Sequence, residues 1–440
     1  MNRALVFFLL ALFATACDDP SEPPVILPGA LQVRFEQVPY ETTLDYVTDL
    51  AFTPDASGEF LAIDLYGKFE HARLDADGAV SLMSGKFDDV YAEFDAGQLG
   101  VAIDPDFAEN GFFYIATNLA KNHVQLRRYT LVRDSFAQTH DSEVVILELR
   151  VASSPRWHNI TSLGFDEEGV MWVLVGDKGL FDPAQDESDL LGSLIRILPS
   201  KVDGVGGYTT PEGGPAYSPT SDPAVYAIGI RSPWKGRYHE GRWFFGDVGL
   251  DDVEEVNVIG APGQNFGWPV VEGPCAEDIR GTEPDCSLYD DPWVYYGRSS
   301  SEQFVRDDLR ASATNKRSVY VGWIYQPTEN DRYGGLWNDV VVWGDAYVGF
   351  MRAAELDDPA SSWHLGHMQF PTAWGQAPDG FVYVTSYPAE PPDNVGPGEP
   401  ASPLQRIVYD PGPEDLERGP ASGTITSELD GETLVGPLDP

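Results

Sequence analysis

The sequence predicts an all-β chain folded as a six-bladed β-propeller with long inter-blade loops. Three observations predict it. A unit of turn residues followed by a short, strand-forming apolar run recurs six times along the 440 residues. Helical periodicity is scarce, and only Asp186 to Leu191 suits even a single helical turn. The 44 Gly and 35 Pro supply many turns and disfavour long helices.

The units run in order. Thr53 to Gly67 (TPDASGEFLAIDLYG) and Asp104 to Asn118 (DPDFAENGFFYIATN) open the series. Phe165 to Asp177 (FDEEGVMWVLVGD), Tyr238 to Gly249 (YHEGRWFFGDVG) and Gly334 to Asp345 (GGLWNDVVVWGD) continue it, and Ala377 to Tyr387 (APDGFVYVTSY) ends it. In each, Pro, Asp, Asn, Glu or Gly makes a tight turn and a β-rich strand follows. A repeated unit of this kind closes radially, each blade burying its faces against its neighbours. A two-sheet sandwich does not readily explain six similar units over so long a stretch. The uneven spacing implies long loops on a rigid scaffold, where a site is built.

The expected organisation is a signal peptide over 1–16, an acidic Pro-rich tether over 17–32, the propeller over 33–410 and an acidic flexible tail over 411–440. Asn2 and Arg3 precede the uncharged run Ala4 to Ala16, too short to span a bilayer core of about 30 Å. Ala14-Thr15-Ala16-Cys17 resembles a bacterial lipobox, which implies cleavage before Cys17 and its lipidation. The alternative is plain secretion with Cys17 incidental. Either way the chain is expected outside the cytoplasm, touching membrane only through that lipid. Cys275 and Cys286 then remain as a pair around the turn-rich loop AEDIRGTEPD, read as a disulfide rather than a metal site, since no histidine is near. A net charge of −42, spread along the chain without a basic stripe, argues against nucleic acid or anionic headgroups as partners and favours bound cations.

Three segments carry candidate chemistry. Trp157-His158-Asn159 precedes one blade strand, and Gly176-Asp177-Lys178-Gly179 ends it. A carboxylate bonded to an imidazole fixes its tautomer and raises its basicity, as a general base needs. Read without context, both segments are also ordinary turn residues. In Ile228-Gly229-Ile230-Arg231-Ser232-Pro233-Trp234, Arg231 points a planar fork into a loop face, suited to a carboxylate or quinone oxygen, or to a structural ion pair. Gly246 to Asn257 (GDVGLDDVEEVN) crowds acids around a Gly-bearing turn, as a hard cation wants, though an acidic solvated turn reads the same way. His364 and His367 are three apart in a strand, which does not suit a shared metal, and the sequon at Asn159 has no use in a bacterial lipoprotein.

In order, these segments resemble the glucose/sorbosone dehydrogenase family, six-bladed propellers that use pyrroloquinoline quinone (PQQ) and calcium. Gly97 to Phe107 with Asn110 to Tyr114 is similar to GLLGxAxxPDF…NGxxY, and His158 to Gly179 to HNGG…FGPDGxLYVxxGDxG. LLGSLIRI, AIGIRSPW, GDVGLDDVEEVN and QNFGWP follow in the family's order. The resemblance implies His158 as general base, Asp177 as the carboxylate that orients it, and Arg231 on the quinone, with Asp95 and Lys178 beside it. It implies calcium at the carbonyls of Gly249 and Leu250 and a second, structural calcium at Glu255. The implied partners are a sugar, oxidised at its anomeric hydroxyl, and an external electron acceptor. Departures are Ile160 and Thr161 where the family has two glycines, Ser232 for Asn, and Gln326 and Val348 where members carry quinone-clamping cations. Hedgehog-interacting proteins share this domain, so a catalytically silent binding module is the alternative.

Overall fold

A computed structural model describes residues 33–152, 157–213, 216–275, 283–298, 316–333, 335, 337–387, 402–409, 426–429 and 432–435. The expected signal peptide, Cys17, the tether and most of the tail lie outside the described residues. Within the expected tail, Thr426–Leu429 and Glu432–Val435 pair as a two-stranded ribbon.

Six antiparallel sheets form the blades. Blade 1 holds Val47–Phe52, Glu59–Asp64, Lys68–Leu74 and Ala79–Lys86. Blade 2 holds Gln98–Ile103, Phe112–Ala120, His123–Thr130 and Val144–Arg150. Blade 3 is Ile160–Phe165, Met171–Val175, Ser193–Pro199 and Val225–Ile228, extended by a short parallel strand, Gln264–Asn265. Blade 4 is Pro233–His239, Arg242–Asp247, Val253–Ile259 and Val294–Gly297. Blade 5 is Val319–Ile324, Val340–Asp345, Phe350–Glu355 and Asp358–His367. Blade 6 takes Pro371–Gln376, Val382–Ser386 and Leu404–Tyr409, and its outer strand is the N-terminal Val33–Gln37. The first strand of each blade touches that of the next, and blade 6 touches blade 1, so the ring closes.

The core is six apolar clusters, one between each pair of neighbouring blades. Every blade is therefore covered on both faces, and its second strand reads as a continuous apolar run rather than an alternation. In Met171–Val175, Met171, Val173 and Val175 pack toward blade 2, and Trp172 and Leu174 toward blade 4. At about 25 cal/mol per Å² of apolar surface removed from water, this repeated two-sided burial is the main stabilising term.

Two features put a site at one rim. Each first strand carries a bulge near its start, between residues 47/49, 98/100, 160/162, 234/236, 321/323 and 371/373. Bulges end regular pairing and re-aim the side chains beside them. At or near the end of each second strand stands a polar residue: Asp64, Asn118, Asp177, Asp247, Asp345 and Ser386. In four blades its side chain accepts a backbone N–H from the chain starting that blade. Asp64 accepts from Asp45 (3.2 Å), Asn118 from Gly97 (3.3 Å) and Asp345 from Ser318 (3.3 Å). Asp247 takes two, from Arg231 (2.9 Å) and Ser232 (2.6 Å). In blade 3 a side chain takes that place.

Candidate active site

In blade 3 the group that meets Asp177 is an imidazole. His158 Nδ1 bonds to Asp177 Oδ1. The carboxylate is fully buried, and the His158 side chain is 12% exposed. Burial pushes Asp177 up, but His158, the Trp268 indole N–H on Oδ2 (2.8 Å) and the Gly179 N–H on Oδ1 (2.6 Å) outweigh it and hold the carboxyl below its ordinary value. An ionised Asp177 can only accept, so Nδ1 carries the hydrogen, and in the neutral imidazole Nε2 is the nitrogen left to accept.

The backbone is shaped for this contact. His158 sits at φ 52°, and its N–H donates to Asp95 Oδ2 (2.6 Å). A Cβ on Gly176 would lie 2.5 Å from the His158 carbonyl oxygen, so only glycine permits the approach. Beneath the histidine, Asn159 donates to the Asp95 carbonyl (2.9 Å). Its own Oδ1 accepts from Asn118 Nδ2 (2.6 Å) and from Lys178 Nζ.

Trp268 arrives from the QNFGWP segment. Asn265 and Gln185 exchange amide bonds of 2.8 and 2.9 Å, and Gln185 also donates to the Trp268 carbonyl (2.8 Å). The Arg231 guanidinium lies 5.1 Å from the Trp268 ring and donates to the Val248 carbonyl (2.5 Å). Arg231 Nε is buried without a hydrogen-bond partner among the described residues. A buried donor left unpaired is costly, and an anionic or carbonyl-bearing ligand would satisfy it.

The structure thus brings His158, Asp177, Asp95 and Arg231 to one mouth. Lys178 is buried at φ 57°, and its ammonium points to Asn159; burial lowers its pKa to about 8. Glu255 lies deeper. It accepts from the Gly273 N–H (2.5 Å) and Asn257 Nδ2 (3.0 Å), near the buried carboxylates of Asp247 and Glu272. Burial and those neighbours push Glu255 up to about 8, and burial pushes Asp247 up to about 6. Crowded buried acids and the orphaned Asn257 Oδ1 fit a hard cation. At the turn above, Glu272 Oε1 accepts the N–H groups of Leu250, Asp251, Asp252 and Val253. The Gly249 carbonyl accepts from Arg298 (3.1 Å), whose guanidinium also pairs with the buried Glu254.

Sequence reasoning left Trp268, Asn118, Arg298 and Arg317 without roles. Asn118 was available by aligning the six units at their last residue, where it stands in register with Asp177. Arg298, at the end of blade 4, reaches the Gly249 carbonyl, and Arg317, at the start of blade 5, lies near Asp345, while Gln326 sits at the opposite rim beside His239 (3.3 Å) and Val348 is in the core. Ile160 is core between blades 2 and 3, and Thr161 donates to the Pro233 carbonyl (2.5 Å), so neither fills the mouth. Cys275 and Cys286 are joined by a disulfide, with their Cα atoms 5.5 Å apart. Among the described residues, the set of three His, Cys, Asp or Glu groups whose ligand atoms lie within 4.8 Å of one another is His239, Glu240 and Asp339, away from this mouth.

Among solved structures, the PQQ-bound aldose sugar dehydrogenase of Streptomyces coelicolor is similar in fold, with TM-score 0.63 and 18% identity, covering 88% of this chain and all of that one. In sequence, the HIPL1 protein of Arabidopsis thaliana is 26% identical over 241 residues, 42% of this chain and 34% of the relative. This chain therefore spans about a third of the length of that relative. The aldose sugar dehydrogenase YliI of Escherichia coli is 25% identical over 271 residues, 60% of this chain and 67% of the relative. Residues 44–301, more than half of the 440, match the family described as Glucose / Sorbosone dehydrogenase, and this chain belongs to it.

Proposed function

We propose that the chain is an exported quinoprotein that oxidises an aldose at its anomeric hydroxyl, with PQQ and calcium as cofactors. The observation that carries the reading is the His158–Asp177–Trp268 chain, which fixes the imidazole tautomer and leaves Nε2 as a base at the mouth. His158 Nε2 takes the hydroxyl proton, the anomeric carbon gives up a hydride, and the sugar leaves as a lactone, oxidised by two electrons. Asp177 stabilises the imidazolium that forms, as a buried carboxylate does for its partner. Arg231, with Arg298 and Arg317 at the same rim, would hold a tricarboxylate quinone. Bound there, PQQ supplies the hydride acceptor. The turn at Gly249 and Leu250 and the Glu255 cluster are the places for calcium.

A catalytically silent extracytoplasmic binding module is the second reading. Its support is the Gly249 carbonyl, expected at the calcium but bonded to Arg298. One experiment separates the two: purified protein is titrated with PQQ and calcium, aldoses are added and quinone absorbance is recorded. Reduction by at least one aldose, lost in His158→Ala, is expected. No quinone binding and no reduction by any aldose would overturn the dehydrogenase reading. Export through a lipid on Cys17 belongs to the same proposal, and a Cys17→Ser variant released from the membrane fraction would support it.

A further inference from the structure

The Phe and Trp residues that stand exposed among the described residues are Phe94, Trp157 and Phe181, at 36, 43 and 39%. The chain holds 22 Phe and 11 Trp, and these three gather at one mouth. Trp157 precedes His158, and its ring meets that of Phe94 edge-on, centroids 4.9 Å apart. Phe94 precedes Asp95, whose carboxylate holds the His158 N–H. On the other side, Phe181 lies 5.4 Å from Trp268, the donor to Asp177. Two aromatic pairs therefore flank the His158–Asp177 pair.

The backbone holds these rings at a cost. Phe94, His158, Lys178 and Phe181 all have positive φ, at 57, 52, 57 and 67°. Each such residue costs on the order of 1–3 kcal/mol unless its surroundings over-determine it, and such residues cluster at ligand sites. Exposed apolar rings set around a polar centre mark a ligand surface rather than a packing surface.

We propose that Trp157 and Phe94 on one side, and Phe181 on the other, form a stacking platform for the ring of a pyranose whose anomeric carbon faces His158. The reading rests on the oxidation proposed above and names the side chains that hold its substrate. A pyranose with mostly equatorial hydroxyls presents a face of axial C–H bonds, and the electron-rich face of an aromatic ring accepts that surface. An open-chain polyol has no such face. These three rings hold a pyranose in preference to an acyclic polyol of the same carbon number.

The test uses Trp157→Ala, Trp157→Phe and Phe181→Ala, with Val202→Ala, an exposed residue elsewhere, as control. All three aromatic positions are exposed, so melting temperatures should stay near that of the parent. Intrinsic fluorescence of the protein is titrated with glucose and with sorbitol, and steady-state oxidation is measured on PQQ- and calcium-loaded protein. A fluorescence change with glucose and not sorbitol, lost in Trp157→Ala, supports the platform. So does a KM raised about 10-fold in Trp157→Ala and Phe181→Ala, with kcat within about 3-fold and most of the KM recovered in Trp157→Phe. Unchanged KM in both alanine variants overturns the platform and leaves the oxidation standing. Glucose-specific quenching without oxidation by the loaded protein upholds the platform and removes the oxidation instead.

Discussion

Trp268 donates its indole N–H to the one oxygen of Asp177 that His158 does not use, at 2.8 Å. The side-chain oxygen at the end of a second strand is a staple in four other blades, a carboxylate in three and the Asn118 amide in one, where it accepts backbone N–H groups. In blade 3 the same position takes a side chain on each oxygen. There a backbone staple is replaced by a bond that fixes an imidazole.

Trp268→Phe keeps a ring against Phe181 and Arg231 and removes only the donor. A hydrogen bond to a charged group contributes about 1.5–3 kcal/mol. Turnover should fall roughly 10-fold, and the acid limb of the pH–rate profile should move upward as Asp177 becomes easier to protonate. Asp177→Asn should cost more, on the order of 10²–10⁴, because it frees the imidazole tautomer. A Trp268→Phe variant with an unmoved profile would show that the indole only fills space.

The same carboxylate links pH to stability. Its pKa is held below the ordinary aspartate value by donors that exist only in the fold. Such a group contributes stability that is present above about pH 4 and is lost as pH falls through the depressed value. Asp177→Asn should therefore melt below the parent at pH 7, and the gap should narrow at pH 3.5. Equal gaps by scanning fluorimetry at both pH values would contradict the linkage.

The blades were legible because each unit carries its own local signal, a turn and then an apolar strand. The closing strand was not, because Val33–Gln37 pairs with residues some 370 positions away. His158 and Asp177 were legible as the two ends of one blade unit, and they meet within that blade. Trp268 comes from a loop 91 residues beyond Asp177, so only the closed ring reveals the bond. Lys178 shows the opposite limit. The resemblance implies Lys178 beside the cofactor, and packing places its ammonium on Asn159 Oδ1.

That inward lysine gives a prediction of opposite sign to the usual one. Burial lowers its pKa from 10.5 to about 8, so the fold penalises its charge. The penalty is in full force below pH 8 and fades as pH rises toward 10.5, where the unfolded chain also loses the proton. Lys178→Met removes the buried charge and leaves Asn159 Oδ1 its bond from Asn118. The parent should gain on this variant as pH is raised from 7.5 to 10. A melting-temperature difference that stays flat over that range would rule the buried charge out.

The ring itself depends on its N-terminal strand. Val33–Gln37 covers the edge of Leu404–Tyr409, places Val33 and Phe35 against the blade 5–blade 6 core, and pairs Glu36 with Arg406 at 2.6 Å. Deleting residues through Gln37 uncovers a row of backbone donors and acceptors, a template for association. It also removes several kcal/mol of apolar burial. At roughly 2 °C per kcal/mol for a large domain, the melting temperature should drop by about 10 °C, and the protein should aggregate with increasing concentration. A peptide of residues 33–42 supplied in trans should re-form the strand by β-augmentation and restore much of the loss. A truncated protein that stays monodisperse and melts with the parent would show that blade 6 holds its edge without this closure.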